Sequence, residues 1–126
     1  MTAGIFITFE GGDGSGKTTQ IRYFKERLKR RNIPVKAVRE PGGTQLGDKL
    51  RTLLKSPDID MAAETEMLLF YASRVQLVRD VITPSLSQGE VIICDRFTDS
   101  TIAYQGYGRL IPVDKIQAIH KLVLEK

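Results

Sequence analysis

The stretch Phe9-Glu10-Gly11-Gly12-Asp13-Gly14-Ser15-Gly16-Lys17-Thr18-Thr19 constrains this chain more than any other. It satisfies G-x-x-x-x-G-K-[ST], with Gly11, Gly16, Lys17 and Thr18 at the defining positions. Glycines let a backbone turn tightly and bring its N–H groups close to the oxygens of an anion. A helix opening at the end of such a loop aims free N–H groups and its positive dipole end at the same point. Lys17 adds a point charge, and the Thr18 hydroxyl can ligate Mg²⁺. The run Gly11, Gly12, Asp13, Gly14, Ser15, Gly16, Lys17, Thr18 and Thr19 is therefore expected to cradle nucleotide phosphates. A flexible linker with a chance lysine is the bland alternative, and the flanks argue against it. Ile5-Phe6-Ile7-Thr8-Phe9 is an apolar run of strand length, and Ile21, Phe24 and Leu28 recur at helical spacing behind the loop.

Length and composition narrow the class. The chain has 126 residues, enough for one domain, read as spanning residues 1–126. Hydrophobic residues make up 41% and charged residues 27%, ordinary for a globular protein. No apolar run approaches the roughly 18 residues of a membrane span, and Met1-Thr2-Ala3-Gly4 lacks the basic start of a signal peptide. A cytoplasmic protein without a membrane partner is expected. One cysteine, Cys94, excludes an internal disulfide, and one histidine beside it makes a zinc site improbable. The net charge of +4 suits anionic ligands. The basic run Lys25-Glu26-Arg27-Leu28-Lys29-Arg30-Arg31 reads as the solvated end of a helix, where cations complement the dipole, and no nucleic-acid partner is expected.

Along the chain, Asn32-Ile33-Pro34 should stop the first helix, and Val35–Arg39 is a second strand. Glu40-Pro41-Gly42-Gly43-Thr44 is a turn by composition. Leu46, Leu50, Leu53 and Leu54 mark a short helix, ended at Ser56-Pro57-Asp58. A long helix is predicted from about Met61 to Leu86, bent or ended by Pro84, with Gly89 as its C-terminal signal. Val91–Asp95 is apolar without alternation, as inside a parallel sheet. Helices through Ser100–Tyr104 and Pro112–Leu124 complete the pattern. Strands alternating with helices predict βαβ crossovers and a three-layer α/β fold with a parallel sheet, of the P-loop NTPase type. Ligands in such sheets bind beyond the carboxyl ends of the strands. The glycine loop, Arg39-Glu40-Pro41-Gly42-Gly43 and Asp95-Arg96-Phe97 occupy those three ends and should meet around one crevice.

Asp95 ends a hydrophobic strand, where a carboxylate is costly unless it faces a site, so it is a candidate Mg²⁺ ligand with Thr18; a helix cap is the alternative. Arg96 offers a planar fork for phosphate oxygens, or else a surface salt bridge. Arg39, Arg51 and Arg74 lie near the same elements, although each read alone is a surface residue.

"REPGGT" at Arg39–Thr44, "LLFYASR" at Leu68–Arg74 and "DRFTDSTIAYQG" at Asp95–Gly106, together with Phe6–Thr19, closely resemble thymidylate kinase of the bacterial branch. The resemblance covers essentially the whole chain. It implies a nucleoside-monophosphate-kinase-like enzyme that transfers the ATP γ-phosphoryl to dTMP with Mg²⁺. By the same resemblance Lys17, Arg96, Asp95 and Glu40 act in catalysis, Glu40 near the transferring phosphate and Mg²⁺. Asp13 would meet the sugar 3′-hydroxyl, and Arg39 and Arg96 the dTMP phosphate. Arg51 would close over the pyrimidine site, Phe70 would stack on thymine, and Arg74 would donate to a thymine carbonyl. Gln105 would pair with the base edge, Ser100 and Thr101 would line it, and Tyr104 would crowd the ribose 2′ position. Read without the resemblance, Phe70 and Tyr104 are core residues and Gln105 a loop residue. A homodimer through the long helices is also implied.

Family members continue well past Lys126, so the chain is expected to hold the N-terminal part of the kinase domain, without the lid and adenine-binding region. Two rivals follow: a P-loop NTPase that hydrolyses ATP or GTP, and a truncated fragment that binds nucleotide without turnover. Phe97 stands where a tyrosine is frequent after the Asp-Arg pair.

Overall fold

The computed structural model describes residues 3–11, 14–96 and 106–124. Its sheet has three parallel strands, β1 (Ile5–Phe9), β2 (Val35–Arg39) and β3 (Val91–Asp95), in the order β1-β3-β2. The central strand is the one whose sequence does not alternate. Val91, Ile92, Ile93 and Cys94 are all buried, because both faces of β3 are covered and both edges are paired. β1 and β2, on the outside of the described sheet, are only half-buried. The registers Phe9↔Asp95 and Arg39↔Asp95 bring the three strand ends level. The ladder runs one residue further on either side: the Arg96 N–H donates to Phe9 O and the Glu40 N–H to Asp95 O, each at 3.0 Å.

Helix α1 (Lys17–Arg30) covers one face, where the Phe24 ring lies 6.1 Å from that of Phe9. It ends in a Schellman motif rather than at Pro34. Asn32 adopts φ 56°, its N–H donates to Lys29 O, and the Ile33 N–H donates to Leu28 O. Helix α2 (Gln45–Leu54) is capped by Thr44, whose Oγ1 accepts the Gly47 N–H at 2.9 Å.

The opposite face carries the long helix expected around Met61–Leu86. It runs as α3 (Ala63–Leu77), a π-helical turn (Val78–Ile82) and α4 (Thr83–Ser87) without a break. The π turn is how Pro84 is accommodated. Proline has no N–H and its ring crowds the carbonyl four residues back, and widening the preceding turn relieves both. There the Thr83 N–H bonds Val78 O, five residues back. Gly89 closes this helix as anticipated, its N–H donating to Leu86 O and the Glu90 N–H to Ser85 O. The long helix serves two cores. Its C-terminal half places Leu77 and Ile82 on Ile92, Phe6 and Val38 of the sheet. Its N-terminal half places Met67 and Tyr71 against Ile111 and Ile116, the latter on α5 (Val113–Leu124). The expected helix through Ser100–Tyr104 lies outside the described residues. No helix among those described is long and apolar enough to cross a membrane.

Candidate active site

Gly16 stands at φ 84° immediately before α1, a left-handed conformation that glycine adopts without steric cost. No side chain among the described residues caps this helix end. Lys17, its first residue, turns its ammonium back across the strand ends. Nζ lies 2.6 Å from Asp95 Oδ1 and donates to Gly11 O at 3.3 Å. The pair is sheltered, with side chains 10% and 27% exposed, so its attraction is weakly screened. The strand ends thus bring Lys17, Asp95 and Arg39 together at one place.

Three arginines share this field. Partial burial first, then the cations of Arg39 and Arg96, hold the Arg51 guanidinium below the usual arginine range, while Asp95 and Asp48 pull it up. Only groups close in space act on one another in this way, so Arg39, Arg51 and Arg96 form one electropositive neighbourhood. Arg51 Nη1 donates to Pro41 O at 2.9 Å, which ties α2 to the loop after β2. Arg96 sits at φ 69°, a left-handed conformation uncommon outside glycine.

The loop over residues 40–44 is fastened to α3 at three successive residues. Arg74 Nε donates to Glu40 Oε1 at 2.8 Å and Oε2 at 3.1 Å. The Gly42 N–H donates to Ser73 Oγ at 3.0 Å. At Gly43, φ is 86° and an added Cβ would stand 2.7 Å from Leu77 Cδ1, so the loop needs glycine twice over, for its dihedral and for its closeness to α3. Burial pushes Glu40 up to about 7, against the opposing pull of the Arg74 charge and hydrogen bond. Burial likewise pushes the Cys94 thiol far above its ordinary value, which makes it inert packing beneath the site.

An open cleft of about 620 Å³ runs from these strand ends along β2. Thr18, Arg39, Gly43, Asp48 and Asp95 line its polar end, and Ile21, Ala37, Val38 and Val81 its apolar wall. A hydroxyl residue and one carboxylate on the same cleft suit Mg²⁺, which takes one or two protein oxygens and fills its octahedron with water and phosphate. No group of three or more His, Cys, Asp or Glu side chains among the described residues forms a cage for a metal.

Of the residues singled out from the sequence, Lys17, Thr18, Arg39, Arg51, Asp95 and Arg96 come together here. Glu40 and Arg74 form their own buried pair beside them, and Phe70 is half-buried on α3. Gly12, Asp13, Ser100, Thr101, Tyr104 and Gln105 lie outside the described residues. Sequence reasoning missed Ser73 and Asp48. Ser73 neighbours Arg74 in the "LLFYASR" stretch but carries no charge to draw attention. Asp48 accepts the Gly43 N–H at 3.0 Å, and its place in the first turn of α2 was the available signal.

The comparisons with known proteins agree with this geometry. The sequence model described as Thymidylate kinase matches residues 9–125. Thymidylate kinase of Halothermothrix orenii is 48% identical over 122 residues, which are 97% of this chain and 59% of that protein. Thymidylate kinase of Ectopseudomonas mendocina is 48% identical over 95% of this chain and 58% of its own length. The crystal structure of thymidylate kinase from Ehrlichia chaffeensis superposes with a TM-score of 0.88 at 46% identity, covering 98% of this chain and 70% of that one. The chain therefore spans somewhat more than half the length of the curated relatives it matches. By its fold, its strand-end site and this similarity along nearly its whole length, the chain belongs to the thymidylate kinase family.

Proposed function

We propose that this chain binds ATP and dTMP end to end across the three strand ends and transfers the γ-phosphoryl group, giving ADP and dTDP. The observation that carries the reading is the sheltered Lys17–Asp95 pair, set level with Arg39 at the head of the cleft. A phosphate oxygen of dTMP attacks the γ-phosphorus in line. The bond to the β,γ-bridging oxygen breaks, and its electrons leave with ADP. Charge spreads over several oxygens, so positioning and neutralisation supply the rate. Lys17 neutralises β- and γ-phosphate oxygens beside the backbone N–H groups of the loop. Thr18 and Asp95 would hold Mg²⁺, whose charge screens the approach of one phosphate to the other. Arg39 and Arg96 bind the dTMP phosphate, and Arg51 braces the loop at Pro41 and closes over the pyrimidine. Phe70 stacks on the base and Arg74 donates to its carbonyl. Asp13, Ser100, Thr101, Tyr104 and Gln105 complete the nucleotide pocket in this reading. The protein acts as a cytoplasmic homodimer joined through its long helices.

A second reading, dTMP binding without turnover, is favoured by one observation: the match covers 59% and 58% of the first two relatives' lengths. One experiment separates the readings. The chain is given ATP and Mg²⁺ with dTMP, dUMP, dCMP or dGMP; diphosphate formation is followed, and binding of each monophosphate is measured in parallel. Selective dTDP formation supports transfer. Selective dTMP binding without product supports the second reading. ATP hydrolysis indifferent to dTMP, with no dTMP binding, refutes both.

A further inference from the structure

Arg74 is held from two sides. Its Nε meets both oxygens of Glu40, in a pair whose side chains are only 2% and 4% exposed. Its guanidinium carbon stands 5.0 Å from the centroid of the Tyr71 ring, one turn earlier on α3. Tyr71 is itself buried, and its hydroxyl donates to Ile116 O at 3.5 Å, so the ring cannot move away freely. Glu40 is equally constrained. The next residues of its loop are fastened at Gly42 by Ser73 and packed at Gly43 on Leu77. A guanidinium is planar, always charged and offers donors only. Fixing Nε in a carboxylate and one face over a ring leaves its plane a single orientation.

We propose that Glu40 is a specificity-determining positioning residue: by gripping Arg74 it makes the pocket accept a pyrimidine that presents a carbonyl and reject one that presents an amino group. This rests on the reading above, that a pyrimidine monophosphate occupies the crevice. It gives Glu40 a different task from the one expected near the transferring phosphate. The physical reason lies in freedom of movement. Facing a base carbonyl, a fixed guanidinium makes a charge-assisted hydrogen bond. Facing an amino group, it opposes donor to donor, and because it is gripped it cannot swing aside. A loosened arginine still reaches the carbonyl but can also retreat from the amino group. Loss of the grip therefore erodes discrimination more than affinity.

The test measures dTMP and dCMP affinities by calorimetry for the wild-type chain, Glu40→Gln and Glu40→Asp, with circular dichroism establishing that each variant folds. The expected result is a fall of about tenfold or more in the dTMP-to-dCMP ratio for Glu40→Gln, equivalent to one weakened charged contact. Glu40→Asp, which keeps the charge on a shorter arm, should keep a ratio between those of wild type and Glu40→Gln. Its measurement carries the test if Glu40→Gln does not fold. A ratio unchanged in a folded variant, with both affinities falling together, overturns the proposal and leaves the kinase reading standing. A wild-type chain that binds neither nucleotide overturns both.

Discussion

Asp95 illustrates how a costly residue becomes a useful one. It follows four buried residues of β3, and its charge is tolerated there because the Lys17 ammonium stands 2.6 Å away. Lysine at that point serves a ligand's phosphates as readily as the carboxylate. Lys17→Ala is therefore expected to weaken ATP binding about tenfold or more, as for loss of a charged hydrogen bond, and to reduce dTDP formation severely. dTMP binding should survive, and isothermal titration with each nucleotide checks this; equal losses for both would refute the assignment. Glu40 makes a second test at the same scale, through pH. Its carboxyl is raised from 4.5 to about 7, chiefly by burial. Between those values the folded chain holds the proton more tightly than the unfolded chain. Stability from this group therefore falls as pH rises through the window. The urea midpoint of the wild type should drop between about pH 5 and pH 8 more steeply than that of Glu40→Gln, which cannot titrate there. Parallel slopes would show that Glu40 takes up no proton on folding.

At the scale of elements, the junction of the loop after β2 with α3 is where packing and function meet. Gly43→Ala adds a Cβ 2.7 Å from Leu77 Cδ1, and Leu77 is fully buried and cannot yield. The expected cost is about 1–3 kcal/mol, typical of overpacking. In a Leu77→Ala background the same change should cost less, since the opposing methyl is gone, and what remains is the strain of φ 86°. Urea unfolding of the four proteins closes this cycle, with a coupling of roughly 0.5–3 kcal/mol expected between touching residues. Additive costs would mean that the loop stands off α3 in solution. This junction also shows what a sequence displays and what it hides. All three strands, the glycine loop and the short and long helices were legible, because local periodicity and turn chemistry encode them. The strand-end cluster was legible too, because topology carries strand ends to one edge. The Glu40–Arg74 pair was not, since it joins positions 34 apart and no spacing announces such a contact. The Schellman stop at Asn32 was masked by the louder Pro34, and the π turn by the expectation that Pro84 bends or ends a helix. In each case a local breaker drew the inference while a hydrogen-bonding detail settled the geometry.

The whole molecule leaves two kinds of apolar surface in the open, and they predict different behaviour. α2 and α3 pack together, and their outer surfaces carry Leu46 and Leu53, seven residues apart, and Leu68, 53% exposed. At the other side β1 pairs only with β3 among the described strands, and Ile5 is 57% exposed. A helix face can join two copies into a closed dimer, because the same patch serves both partners and the contact stops at two. An outer strand offers unpaired backbone groups as well as side chains, and association through it need not close. The homodimer proposed through the long helices is therefore sensitive to Leu68. Leu68→Glu should convert a dimer into a monomer in sedimentation equilibrium, because a buried carboxylate facing its symmetry mate has no partner. Ile5→Lys should leave that equilibrium unchanged and instead suppress light scattering at high protein concentration. If Ile5→Lys dissolves the dimer and Leu68→Glu does not, the copies meet through β1. The long helix then answers only to its own core and to the loop that Glu40 and Gly43 bind to it.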